Sequence, residues 1–169
     1  RKSSKMCNRT LVSIYINKPQ FNKASDFNKY PRTLYSDINK LKKTKTDYIY
    51  LPKDKHIYPK GPNKKIKINS FKKKLCGMNR PGHFEAVVDV IDRFLKLIKP
   101  KKIFLGEKDF QQLVLINDFI KKKHPFTKLV SCKTIREKNG IACSSRNNLL
   151  SKKEKDTASS VYKFLSNNK

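Results

Sequence analysis

Two kinds of apolar spacing alternate along the chain. Compact runs at Leu11–Ile16, Tyr48–Leu51, Ile103–Leu105 and Lys128–Cys132 are short and rich in β-branched or aromatic residues, so they predict buried strands. Between them, apolar residues recur at helical spacing. Leu34, Ile38 and Leu41 form one such stripe; Val87, Val88, Ile91, Phe94, Leu95 and Ile98 form a wider one; Leu113, Ile116 and Ile120 form a third. Ala158, Val161, Tyr162 and Leu165 give a last, short face, opened by a capping box at Ser151-x-x-Glu154. Pro19, Pro52 and Pro100 punctuate the pattern. Residues 1–9 read as the tail of a helix, 22–32 as an irregular loop, and Ile66-Lys67-Ile68 as a solvated edge strand. Strands alternating with helices predict an α/β fold, a Rossmann-like open parallel sheet with flanking helices.

The chain is organised around Gly106-Glu107-Lys108-Asp109-Phe110-Gln111-Gln112, where a predicted strand turns through glycine into a predicted helix. Ligands of open α/β sheets sit at the carboxyl ends of the strands. A helix N-terminus offers free N–H groups and a positive dipole end to an anion, and Lys108 adds a full charge there. The same stretch also reads as a plain capping box, Asp109-x-x-Gln112. Local pattern leaves both readings open.

Composition changes the picture in one respect. The 169 residues carry a net charge of +28, which favours polyanions. Yet 34 of the 41 basic residues are lysines spread over the whole chain, whereas phosphate and guanine recognition favours the arginine fork. Composition alone therefore does not point to nucleic acid. Arg32, Arg80, Arg136 and Arg146 stand in Pro-, Asn- or Ser-containing loops, where a planar fork has a use. No stretch approaches the ~20 apolar residues of a membrane span, and no apolar h-region follows the basic start. Cys7, Cys76, Cys132 and Cys143 form no C-x-x-C pair, which argues against zinc or a disulfide framework and suits a reducing cytoplasm. No P-loop or G-x-G-x-x-G is present.

Asn17 and Gln20 follow the first strand and read either as turn residues or as substrate contacts. His83, at a helix entry, is either a base or a locally bonded ring; His56 has no partners at metal-ligand spacing. Cys143-Ser144-Ser145-Arg146-Asn147 offers hydroxyls and a guanidinium in succession, a clamp for phosphate oxygens.

Tyr30-Pro31-Arg32-Thr33, Arg80-Pro81-Gly82-His83-Phe84, Gly106 to Gln112 and Ser144-Ser145-Arg146-Asn147, in this order and spacing, resemble the motifs of the pantoate–β-alanine ligases, members of the nucleotidyltransferase superfamily. The resemblance runs over essentially the whole chain. It implies a Rossmann-like nucleotide- and pantoate-binding domain over 1–134 and the beginning of a small C-terminal lid over 135–169. It implies ATP and Mg²⁺ as co-substrate and cofactor, pantoate and β-alanine as substrates, a pantoyl-adenylate intermediate, and release of AMP and pyrophosphate. By the same resemblance Gln20, Gln112 and Asn17 hold pantoate; Gly106, Glu107, Lys108 and Asp109 line the ATP site; and Ile135 meets adenine through its backbone. Cys143, Ser144, Ser145 and Arg146 match a mobile phosphate-binding segment. Lys108 and Arg146 are the expected catalytic cations, and no protein residue is expected to be a dedicated metal ligand. A homodimer in the cytoplasm is implied; a membrane or nucleic-acid partner is not.

Departures from the family pattern set further expectations. A His-x-Gly-His motif is expected before Arg1 and most of the lid after Lys169, so the chain by itself is expected to be inactive. Pro19 is displaced from the usual Asn-Pro-x-Gln-Phe order. Cys76 and Cys143 replace a common acidic residue and a common Leu or Met. The alternative readings are a related nucleotidyltransferase or degenerate homologue with another acid substrate, and a basic nucleic-acid-binding module.

Overall fold

A computed structural model describes residues 1–63 and 65–168. The strands are β1 (Leu11–Ser13), β2 (Tyr48–Tyr50), β3 (Lys102–Gly106) and β4 (Lys128–Cys132). The helices are α1 (Lys2–Met6), α2 (Ala24–Lys29), α3 (Leu34–Lys42), α4 (Asp54–Ile57), α5 (His83–Ile98), α6 (Phe110–Lys123) and α7 (Lys152–Asn167). All strand pairing is parallel, as expected of βαβ units. β1 pairs with β2 and β3 with β4, as two separate ladders.

The core lies between α5 and α6. Val87, Val88 and Leu95 of α5 meet Ile116, Phe119 and Ile120 of α6, and Ile103, Leu105 and Leu129 pack on this cluster from β3 and β4. Fully burying each such side chain stabilises the fold by about 1.5–3 kcal/mol. Gly82 enters α5 at φ 75°, a left-handed backbone that a glycine adopts without a steric penalty. Lys99, also left-handed, ends the helix just before Pro100. Phe94 packs edge-on against Tyr50 of β2 at 6.2 Å, so α5 supports both strand pairs. His124, just past α6, is tied to Asp92 of α5 by a 2.7 Å contact. Asp89 is buried, and Arg93 pairs with it at 2.8 Å while donating to the carbonyls of Ile57 and Gly61.

Several elements differ from the sequence reading. The first strand ends at Ser13 instead of Ile16, because its partner runs into Pro52, which has no N–H for the ladder. It is also less buried than expected: Leu11 and Tyr48 are 40% and 56% exposed. Ile66 and Ile68 form no strand; both pack against the α5–α6 core instead of joining a ladder. The loop expected over 22–32 contains α2, held by edge-to-face contacts of Phe21 with Phe27 and Tyr30. The Asp109–Gln112 capping box does not form: a 3-10 turn at Glu107–Asp109 leads into α6, and Asp109 makes no capping bond. The box at Ser151 and Glu154 does form.

Candidate active site

The carboxyl ends of β3 and β4 are joined by Glu107, whose carboxylate accepts a 2.8 Å bond from the Ser131 hydroxyl. Gly106 leaves its backbone open: nothing lies within 4 Å of where a side chain would begin. Lys108 stands exposed beside Asp109, 3.5 Å away, too loose a contact to immobilise the ammonium group. The tandem glutamines that follow divide. Gln111 is buried and its Nε2 donates to the carbonyls of Phe71 and Lys74 at 2.9 and 2.7 Å, holding the 70–79 segment against α6. Gln112 is half-buried, and among the described residues nothing hydrogen-bonds its side-chain amide.

The N-terminus of α5 meets the loop after β1. His83 donates from Nδ1 to the Gln20 carbonyl at 2.8 Å, and Asn22 donates to the Pro81 carbonyl at 2.8 Å. Burial lowers the His83 pKa below its ordinary value, and Asp109 and Glu85 act on the ring against that effect. Through Nδ1 His83 makes the local bond that one of its two readings expects. The 70–79 segment links the starts of α5 and α6: Gln111 in the first turn of α6 donates to its Phe71 and Lys74 carbonyls, and its Lys72 pairs with Glu85 in the first turn of α5. The start of α6 and the exposed Lys108 ammonium at this corner are favourable to an anion.

Asn17 is 4% exposed and turned inward. Its Nδ2 donates to Gln20 Oε1 and to the Ala86 carbonyl, both at 3.1 Å, and its Oδ1 accepts from the Tyr58 hydroxyl at 2.6 Å. Gln20 itself remains half-buried at the end of a 3-10 turn, Lys18–Gln20, in which the displaced Pro19 is accommodated.

The 143–147 segment docks on the aromatic cluster. Ser144 caps a 3-10 turn, Ser145–Leu149, by accepting from the Arg146 N–H. Ser145 reaches the Tyr30 hydroxyl at 3.3 Å. Arg146 pairs with Asp26 at 2.9 Å and lies over the Tyr30 ring at 4.7 Å. Ile135 is exposed, and its carbonyl accepts from the Cys143 N–H at 2.9 Å. The loops of Gln20, Tyr30, His83 and Arg146 are therefore joined by direct contacts. The corner at 106–112 is linked to them through Gln111, the 70–79 segment and the start of α5.

Asp26, Tyr58 and Gln111 were not singled out from the sequence. Asp26 had a readable signal: it is the first acidic residue of a strongly basic chain. Tyr58 and Gln111 had none, since their partners are brought to them only by folding. Among the described residues no group of three or more His, Cys, Asp or Glu side chains could hold a metal. No described helix is long and apolar enough to cross a membrane.

Comparison with known proteins gives this geometry a family. The sequence model described as pantoate-beta-alanine ligase matches residues 1–169. The pantothenate synthetase of Legionella pneumophila (strain Lens) is 37% identical over 167 residues, 99% of this chain and 66% of that protein. One from Leptospira interrogans is 39% identical over 158 residues, covering 93% of this chain and 55% of that protein. The crystal structure of the pantoate-beta-alanine ligase from Francisella tularensis, complexed with beta-gamma ATP and beta-alanine, superposes with a TM-score of 0.92 at 35% identity, over 98% of this chain and 64% of that one. The Thermus thermophilus pantothenate synthetase gives 0.89 at 30% identity, over 95% and 58%. The chain thus spans no more than about two thirds of the length of these relatives. Matched from end to end by the family's sequence model and by solved members of its fold, the chain belongs to the pantoate–β-alanine ligase family.

Proposed function

We propose that the protein carrying this chain condenses pantoate with β-alanine to pantothenate at the expense of ATP. In the first half-reaction a pantoate carboxylate oxygen attacks the α-phosphorus of ATP. A P–O bond forms, the bond to pyrophosphate breaks, and pyrophosphate leaves. In the second, the β-alanine amine attacks the acyl carbon, a C–N bond forms, the amine loses a proton and AMP departs. Neither step requires a nucleophile from the enzyme. Both require two anions held in line and the charge at phosphorus stabilised.

The observation that carries this reading is the linkage, through the 70–79 segment, of the start of α6 beside Lys108 to the start of α5. In the proposal Lys108 and Arg146 neutralise the phosphates, Ser144 and Ser145 donate to phosphate oxygens, and Gly106, Glu107, Asp109, Cys143 and Ile135 line the nucleotide. Gln20 and Gln112 hold pantoate, with Asn17 behind Gln20. Magnesium typically binds through substrate phosphates plus one or two carboxylates, and the exposed Asp109 carboxylate fits that donor set. Its chemistry is to neutralise phosphate charge. Residues 1–134 serve as the binding domain and 135–169 as the start of the lid. A cytoplasmic homodimer belongs to the same proposal; the four free thiols support a reducing compartment.

The match over all of residues 1–169 favours this reading over a related nucleotidyltransferase or a nucleic-acid module. Exchange of labelled pyrophosphate into ATP by the whole protein tests it. Exchange that depends on pantoate supports the reading. A folded protein that binds ATP without such exchange overturns it.

A further inference from the structure

We propose that Tyr58 is a positioning residue for the pantoate site, acting through Asn17 to hold the Gln20 amide with its NH₂ group toward the substrate. The inference rests on the function proposed above and deepens it, since it states which chemical face Gln20 presents.

A glutamine side chain can offer a ligand either an acceptor oxygen or two donor hydrogens. The surroundings of Gln20 decide between them. The Ala86 carbonyl can only accept, so the Asn17 atom 3.1 Å from it is the nitrogen. That leaves Asn17 Oδ1 toward the Tyr58 hydroxyl, which donates to it at 2.6 Å. Burial raises the Tyr58 pKa, so the phenol keeps the proton it donates. The second N–H of Asn17 is directed to Gln20, 3.1 Å away, and the Gln20 atom that receives it is Oε1. With its oxygen engaged, Gln20 has Nε2 and its hydrogens left to present. A donor pair suits an acceptor-rich ligand such as a hydroxy acid carboxylate.

Tyr58 is itself held. The Arg93 guanidinium lies 4.5 Å from the Tyr58 ring centroid, and Arg93 is fixed by Asp89 and by the carbonyls of Ile57 and Gly61. The relay thus begins in the α5 framework and ends at the substrate side chain. Such buried networks orient groups when every member is satisfied, as Asn17 is here.

The test is Tyr58→Phe in the whole protein, which removes one hydroxyl and keeps the ring under Arg93. The expected result is a KM for pantoate raised about tenfold, the loss of one buried hydrogen bond's orientation, with KM for ATP and the thermal midpoint little changed. In a Gln20→Ala background the same substitution is expected to leave KM for pantoate where Gln20→Ala put it. An equal rise in that background, or an equal rise in KM for ATP, overturns the relay. The side-chain amide signals of Asn17 and Gln20 in nitrogen-15 spectra give a readout independent of catalysis. Tyr58→Phe is expected to shift both, and an unmoved Gln20 signal overturns the relay. If the unaltered protein shows no pantoate-dependent exchange while the amide signals shift together, the functional reading fails and the relay stands.

Discussion

Arg146 and Asp26, 120 residues apart in the chain, form a two-oxygen ion pair: Nη2 lies 3.0 and 2.9 Å from the two carboxylate oxygens. Both side chains are nearly half exposed, so the pair contributes at most about 1 kcal/mol to stability. Its larger consequence concerns nucleotide binding. A carboxylate beside the proposed phosphate-binding segment would repel an incoming triphosphate and compete for its guanidinium. Asp26→Asn is therefore expected to lower KM for ATP severalfold with little change in thermal midpoint. Steady-state kinetics check this. A raised KM would mean that Asp26 instead holds Arg146 in its working position.

Lys108 provides the complementary test. It is exposed and only loosely paired, so Lys108→Ala is expected to leave folding intact. Removing a charge that stabilises the transferring phosphoryl group lowers turnover by about 10²–10³ where such a group acts. Pyrophosphate exchange should fall by that factor with unchanged circular dichroism. Exchange within a fewfold of the unaltered protein would remove Lys108 from the site.

The division between Gln111 and Gln112 shows what sequence could and could not display. Helical spacing and the glycine corner located the α6 entrance, because a strand, a turn and an apolar stripe are local patterns. The four ordered motifs located the loops. The resemblance they carry implies a pantoate role for Gln112, but neither signal showed what Gln111 does. Gln111 turns inward because Phe71 and Lys74, distant in sequence, bring carbonyls with a free acceptor site to it. The capping box at Ser151 formed and the one at Asp109 did not. At Asp109 the chain leaves β3 through a 3-10 turn, and its backbone at φ −99°, ψ 62° lies outside the extended region a capping residue usually adopts. Likewise α2 went unread because its support is aromatic contact rather than a periodic face.

Gln111 carries a stability prediction. Its Nε2 serves two carbonyls, while its Oε1 is buried without a hydrogen-bond partner among the described residues. Gln111→Ala removes two hydrogen bonds, each contributing about 0.5–1.5 kcal/mol, while the Phe71 and Lys74 carbonyls keep their backbone bonds from the Lys74 and Gly77 N–H groups. Urea unfolding should show that loss. A change under about 0.5 kcal/mol, the range of ordinary surface substitutions, would mean that the 70–79 segment is held by other contacts.

His83 predicts a pH dependence whose sign follows from its burial. In the unfolded chain its imidazole titrates near 6.5, and in the folded protein its pKa is lower. Above about pH 6.5 the ring is neutral in both states and adds no slope. As pH falls below that value the unfolded chain takes up a proton that the folded protein resists, so stability declines. The decline stops once pH passes the folded pKa. His83→Asn keeps an N–H donor where Nδ1 now meets the Gln20 carbonyl, but it has nothing to titrate. The substitution is expected to cost stability at neutral pH through lost packing, and to flatten the fall in stability between about pH 6.5 and 5. Urea unfolding of both proteins across that interval measures the difference, in which the other titrating groups cancel. Parallel slopes would show that the His83 proton does not distinguish the folded from the unfolded state.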